Sequence, residues 1–338
     1  MARFLILTFT ALGLLPLMAD GISHGDRIAT LPPDILEVLA ERNVTDKNGA
    51  MGRNRKDYFH VRFQMGIHHL ANFAIASQDT RGIEHFLRGM EFALSHQQED
   101  GRFAVNIPAE LKSQKGPSEA DLASGVAFFL SSAGLGLDAL YSSSWFQEPA
   151  ELKPAHERCD TILESLRPSL AALIEDAPLL RKADLHAPNR LLFDAAAFLS
   201  LGRLLEDANA IATGEEFLAL ALEAIHEDGY FIEGGGADTS YNGVAAAILL
   251  RIAAMNHSED LLEKGLTSVA WQTTRISPEG EISTEGNTRV RPGGEAFLGK
   301  EKDVDVGHSL EALIFASALS GDQELLATAR KVLSFYHR

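Results

Sequence analysis

The residues able to do chemistry gather in a few polar windows. Arg53, Arg55 and Lys56 stand in the first, and Asp121 closes a second that runs over 100–121. His186, Asn189 and Arg190 share the stretch His186-Ala187-Pro188-Asn189-Arg190. Asp238, Tyr241 and Asn242 follow the run Gly234-Gly235-Gly236, and Arg289, Arg291, Asp303, Asp305 and His308 make up the last window. Arginine forks such as Arg190, Arg289 and Arg291 match carboxylates in bidentate fashion, which points to an anionic ligand. Two carboxylates drawn from Asp121, Asp194, Asp238 and Asp305 would instead serve acid and base work at a glycosidic bond.

Each of these residues also has a structural use. Asn189, behind Pro188 at a helix start, is placed to cap. Asp238 opens the next helix and reads as a cap before it reads as an acid. Tyr241 shares a face with Val244, Ala245 and Ile248, so a core tyrosine whose hydroxyl finds a backbone partner competes with a catalytic one. His308 sits beside Asp305 at the head of an apolar helical pattern. His68-His69, among Phe63, Ile67 and Leu70, reads first as a core histidine. Neither that pair nor Asp303-Val304-Asp305-Val306-Gly307-His308 has the spacing of a zinc site, and the EF-hand pattern is absent, so no metal and no cofactor is expected. The glycine run follows an acidic turn, which argues against a phosphate cradle. Cys159, the single cysteine, excludes an intrachain disulfide and reads as a small buried apolar residue.

The elements that must position these windows are amphipathic helices. Leu122, Val126, Phe129, Leu130, Ala133, Leu137 and Leu140 fall on one helical face, as do Leu192, Ala195, Leu199, Gly202 and Leu205. The periodicity predicts helix pairs at 58–77 with 81–97, 119–141 with 155–176, 189–208 with 213–226, 240–256 with 258–274, and 307–320 with 322–336. Connections within a pair are short, as at Gln78-Asp79-Thr80, which suits antiparallel neighbours. The second pair departs, with Ser142 to Pro154 inserted. Three of the loops between pairs begin alike: Gln97-Gln98-Glu99-Asp100-Gly101-Arg102-Phe103, His226-Glu227-Asp228-Gly229-Tyr230-Phe231 and Ser277-Pro278-Glu279-Gly280-Glu281-Ile282. An acidic residue before glycine is a turn signal, and the following apolar residue would tuck the returning chain against the helices. Short extended pieces are expected at 103–107, 230–233 and 281–284.

Ahead of the first pair, residues 1–19 carry Arg3, an apolar run from Phe4 to Met18 and then Ala19. That is the order of a secretory signal peptide, too short for a confident membrane span. No later segment approaches the length of a span. Residues 20–56 read as an N-terminal arm with one short helix, Pro33 to Arg42. The net charge of −17 argues against a nucleic-acid partner, because that binding rests on clustered Lys and Arg.

Helix hairpins separated by loops carrying Gln-Gln-Glu-Asp-Gly-Arg-Phe or Glu-Asp-Gly-Tyr-Phe resemble the α/α-toroid proteins, a group that includes polysaccharide lyases, six-hairpin glycosidases and terpenoid cyclases. The resemblance implies an all-α fold, an incomplete (α/α) toroid of about five hairpins over 57–338, with minor short strands in loops. In such a toroid the first helix of each pair lines the inside, and its N-terminus meets the loop from the preceding pair. Several inner-helix N-termini aimed at one cleft favour an anion. By resemblance to toroid lyases, Asn189 with Arg190 would neutralise a sugar carboxylate, His308 or His186 would be the base, and Tyr241 the acid. Arg289, Arg291, Asp238 and Asp305 would bind substrate. The expectation is an exported carbohydrate-active enzyme, a polysaccharide lyase acting on an acidic polysaccharide or oligosaccharide, with no membrane association after signal cleavage. A glycoside hydrolase and a non-catalytic binding toroid are the alternatives.

Overall fold

A computed structural model of the chain describes residues 21–56, 58–107, 117–288, 296–297, 300–301 and 304–337. The expected signal segment, 1–19, lies outside that set. Among the described residues the chain is almost entirely helical: α1 (His24–Ile28), α2 (Pro33–Arg42), α3 (His68–Ser77), α4 (Thr80–Leu94), α5 (Glu119–Tyr141), α6 (Ser144–Gln147), α7 (Lys153–Asp184), α8 (Pro188–Leu204), α9 (Ala208–Leu222), α10 (Thr239–Asn256), α11 (Glu259–Thr273), α12 (Val306–Ser320) and α13 (Gln323–Tyr336). The strands β1 (Ala296–Phe297) and β2 (Lys300–Glu301) form one antiparallel pair in the last long loop.

Two kinds of helix alternate. α5, α8, α10 and α12 are buried around nearly their whole circumference, the pattern of helices enclosed on every side. α4, α9, α11 and α13 bury one stripe each. The first kind forms an inner ring in which α3 packs on α5, α5 on α8, α8 on α10 and α10 on α12; each carries its outer partner, α4, α7, α9, α11 or α13. The five expected hairpins are all present, and the fold is an all-α toroid. α5 is long and apolar enough to cross a membrane, contrary to the sequence expectation, but most of it is buried by its neighbours in the ring.

Two boundaries differ most from those expected. The first inner helix begins at His68 and not at residue 58, because Gly66 adopts a left-handed φ of 87° and a 3-10 turn at Val61–Gln64 precedes it. α7 runs on to Asp184 through two internal prolines, Pro168 and Pro178. A proline forfeits one backbone hydrogen bond, and the buried stripe of Leu170, Leu173, Ala177 and Leu180 continues past both.

The Asp-Gly turns are a construction device. Gly101, Gly229 and Gly280 take φ values of 82°, 97° and 100°. A Cβ there would lie 2.2 Å from the Pro168 carbonyl oxygen, 2.9 Å from that of Thr267 and 2.2 Å from that of Lys331, respectively. Each turn therefore seats its glycine on the outer helix of the following hairpin, where a side chain cannot fit. The chain then closes through single bridges, Gln97 to Phe103, Ile225 to Phe231 and Ile276 to Ile282, which bury Phe103, Phe231 and Ile282. The expected extended pieces shrink to these bridges.

The N-terminal arm completes the ring. α2 packs on α3, reaches α13 through Asp34 with Arg330 (2.6 Å) and Arg42 with His337 (2.7 Å), and places Leu39 beside Gly307 at the head of α12. It thus spans the gap between the fifth hairpin and the first. α1 lies across the C-terminal end of the ring: His24 Nδ1 meets Asp138 Oδ2 at 2.8 Å, and its ring lies 6.5 Å from Phe315. Gly25 makes the closest approach, since a Cβ there would sit 2.2 Å from the Ala139 carbonyl oxygen and 2.5 Å from Ser143 N. Gly25→Ala should lower stability by roughly 1–3 kcal/mol, the ordinary cost of forcing a methyl into packed backbone. It is read as a lower urea midpoint at constant slope; an unchanged midpoint would mean that α1 does not seat here.

Candidate active site

With α1 across one end, the N-termini of the inner helices stand at the other. Asp238 caps α10, its Oδ1 accepting from Tyr241 N at 3.0 Å. Asp305 caps α12 by accepting from His308 N at 3.0 Å, and its other oxygen meets His308 Nδ1 at 2.9 Å. Asp305 N donates to Ser240 Oγ at 2.8 Å, which ties the head of α12 to that of α10. The cap of α8 is Ala187, without a side-chain bond, so Asn189 is not the cap its position suggested. Its Oδ1 is buried without a partner. Arg190 Nη1 pairs with Asp184 Oδ1 at 3.1 Å.

The electrostatics single out His308. Burial would lower its pKa, but the Asp305 carboxylate against Nδ1 raises it to about 9, with Glu311 one turn along α12 adding to the effect. Asp305 answers in the opposite sense: burial would raise it, and His308 brings it down to about 2. His308 is thus an imidazolium at neutral pH, with Nδ1 pinned by Asp305. Its ring edge meets Phe193 (6.1 Å between centroids), Phe193 meets Phe128 (4.5 Å), and the Arg62 guanidinium lies over Phe128 (4.6 Å). Asn189 precedes Phe193 by one helical turn and shares its face.

Beneath this wall lies a buried polar network. Arg251 Nη2 is hydrogen-bonded to Glu311 Oε1, and its guanidinium lies over the Phe315 ring at 4.7 Å. His68 Nε2 and His69 Nδ1 point at the same oxygen from 3.5 and 3.8 Å, while His68 Nδ1 is held by Ser132 Oγ at 2.6 Å. Burial lowers His68 to about 4 and His69 well below its usual value, so both rings are neutral. Burial would raise Glu311, but Arg251 holds it well below the usual carboxylate range. His68, His69 and Glu311 each offer one ligand atom, all within 4.8 Å of one another. Arg251 already balances Glu311, however, and a divalent ion added there would leave a buried excess of positive charge. The set is therefore read as an ion pair with two flanking imidazoles.

A second acidic group is buried without pairing. Asp194 on α8 is fully enclosed, with neither oxygen hydrogen-bonded. Burial, reinforced by Asp184, raises its pKa well above the usual range against the pull of Arg190. It stays protonated.

Sequence reasoning placed Asn189, Tyr241 and His308 at the heads of the consecutive inner helices α8, α10 and α12, and the structure sets them on one rim. His186 is exposed in the turn between α7 and α8 and makes no hydrogen bond or ion pair among the described residues. Arg289, Arg291 and Asp303 lie outside the described residues. Arg62, Phe128, Phe193, Arg251 and Glu311 were missed. For Arg251 and Glu311 the signal was present: each is a lone charge inside an otherwise apolar helix.

No protein-family profile matches the chain, and no curated protein matches it. Among solved structures it is similar to a D-mannose isomerase, at 11% identity and a TM-score of 0.48, covering 95% of this chain and 87% of that one. It is also similar to a sugar epimerase from a ruminal bacterium, at 15% identity and a TM-score of 0.45, covering 89% and 87%. Neither is a lyase or a hydrolase, and the expectation of a polysaccharide lyase, with a glycoside hydrolase behind it, is corrected. The site chemistry departs from both as well. His308 carries a proton and is no base, and His186 stands exposed in a turn. Asp121, Asp238 and Asp305 serve as helix caps, and Asp194 is sealed away.

Two variants test this electrostatic account. Glu311→Gln leaves Arg251 charged and buried without its counterion, and should cost roughly 3–5 kcal/mol of stability; a loss under about 1 kcal/mol would mean the pair is not closed as described. For Asp194 the sign runs the other way. Its folded carboxyl keeps a proton that the unfolded chain releases near a pKa of about 3.9, so stability falls as pH rises above that value. Asp194→Asn should therefore raise the melting temperature at neutral pH and lose that advantage in acid; a variant less stable at neutral pH would refute the assignment.

Proposed function

We propose that the chain is a carbohydrate-active enzyme that moves a proton between neighbouring carbons of a sugar, in the manner of an aldose–ketose isomerase or an epimerase. The observation that carries this reading is His308: an imidazolium fixed by Asp305, at the head of α12, beside the aromatic edge of Phe193. A hydrogen on the carbon next to a carbonyl becomes acidic when the carbonyl oxygen is protonated or hydrogen-bonded, because the charge that develops on that oxygen is then neutralised. His308 Nε2, the ring nitrogen not engaged by Asp305, is the donor for that oxygen. Removal of the carbon-bound hydrogen by a base gives an enediol. Return of a proton to the neighbouring carbon yields the isomer, and return to the opposite face of the same carbon yields the epimer.

The surroundings fit a small substrate. Asn189 offers a buried amide oxygen with no protein partner to accept from a sugar hydroxyl, and Tyr241 stands at the head of the intervening helix. The buried Arg251–Glu311 pair keeps α10 and α12 in register one turn below. The same proposal sets the enzyme outside the cytoplasm, on the order of charged, apolar and small residues in 1–19.

The direct test is incubation with aldoses and ketoses in heavy water, following exchange at C2 by proton NMR. Exchange or interconversion of at least one sugar is expected, and its absence across hexoses and N-acetylhexosamines would sink the reading. His308→Gln should lower the rate by about a hundredfold or more. Because the acid must hold its proton, activity should fall as pH rises through about 9. Asp305→Asn keeps a capping residue but removes the carboxylate that raises His308, so the alkaline limb should move to lower pH. A limb that stays in place would show that His308 is not the titrating group.

A further inference from the structure

The Arg62 guanidinium has no direct ion-pair partner among the described residues. It is half-buried, its guanidinium lies over Phe128 at 4.6 Å, and its side chain makes no hydrogen bond or ion pair among the described residues. Two carboxylates are near enough to act on it, Asp121 and Asp184, and both are engaged elsewhere. Asp121 accepts from Ser118 N and Oγ at 3.0 and 2.7 Å, closing the N-terminal box of α5. Asp184 is taken by Arg190 at 3.1 Å. Arg190 is itself close enough to repel Arg62. Two guanidiniums held near one another, one of them partly withdrawn from water without a counterion, are costly to keep unless something anionic arrives between them.

We propose that Arg62, with Arg190 beside it, forms a subsite for an anionic group on the sugar, a carboxylate or a phosphate, at the other end of the Phe128–Phe193 wall from His308. This rests on the reading of the rim as a sugar-isomerising site and names its substrate class. A guanidinium presents a planar fork of donors that both anions match with two parallel hydrogen bonds, which a neutral hydroxyl cannot do. Contact with the Phe128 ring restrains the guanidinium in advance, so less freedom is lost when the anion binds. The heads of α5 and α8 stand at the same place with their N–H dipoles outward. The chain as a whole is strongly acidic, at −17, and repels an anion over most of its surface; here two guanidiniums stand beside two carboxylates already engaged by Ser118 and Arg190.

The test is equilibrium binding by the full mature chain of glucuronate and mannose 6-phosphate, each against its neutral parent, glucose or mannose. At least one anionic sugar should bind roughly tenfold or more tightly than its parent, the size expected of a charge-assisted pair. Which of the two gains tells carboxylate from phosphate. Arg62→Gln should erase the preference, Arg62→Lys should keep part of it, and Arg167→Gln, on the outer face of α7, should leave it intact. Equal affinity for charged and neutral sugars, no binding of either anion, or a preference that survives Arg62→Gln would overturn the subsite. If Arg62→Gln does not fold, the Lys variant and loss of the wild-type preference at high salt decide. Exchange at C2 reads the chemistry separately: an Arg62-dependent preference without exchange removes the isomerase reading and leaves the subsite, and exchange without preference does the reverse.

Discussion

The buried pair of Arg251 and Glu311 is the interaction on which the arrangement of the ring depends. α3 and α12 are not successive inner helices, and α2 stands between their hairpins where a further hairpin would close a complete toroid. The network bridges that gap from inside: Glu311 of α12 takes Arg251 from α10 and faces His68 and His69 of α3, while Ser132 of α5 holds His68 from behind. Three of the five inner helices meet at one carboxylate, and a fourth reaches it through His68. A buried charge without its partner costs several kcal/mol, so only the ring geometry that brings these helices together keeps both charges satisfied. Apolar packing can close a ring in several rotations of each helix; a single ion pair on its inner surface selects among them.

The N-terminal arm solves the remaining problem from outside. α2 fills the angular gap and joins the first hairpin to the last through Asp34 with Arg330 and Arg42 with His337, while α1 covers the C-terminal ends of the inner helices. One end of the ring is thereby occupied and the other left for loops. The mouth consequently lies at helix N-termini, where backbone N–H groups and aspartate caps set the local field. His308 gains its raised pKa from that geometry, since the residue that caps α12 also holds its imidazole.

Much of the fold was legible. Periodicity gave all five hairpins, and the limits of α5 and α2 match those expected, because a strongly apolar face with clear breakers at its ends leaves little choice. The Asp-Gly turns were legible as turns and as points where the chain tucks back; that their glycines seat on the next outer helix was not, since this depends on which helix lies alongside. Boundaries failed where local and tertiary preferences disagree. α7 was expected to end at 176, and its buried stripe carries it on to Asp184 through Pro178.

The site was legible only in its rim. Asn189, Tyr241 and His308 were grouped because helix heads in a toroid converge, a rule that needs no side-chain packing. Arg251 and Glu311 carried an equally plain signal, lone charges in the runs Ala247-Ile248-Leu249-Leu250-Arg251-Ile252 and Leu310-Glu311-Ala312-Leu313-Ile314, which bury on every side. A charge in such a helix must meet its opposite across the core, and the sequence holds one of each sign. Arg62 shows the limit of this logic. It precedes its helix, in a 3-10 turn with no periodicity, and its significance lies in the lack of a partner, which emerges only once every neighbouring carboxylate is seen to be engaged elsewhere.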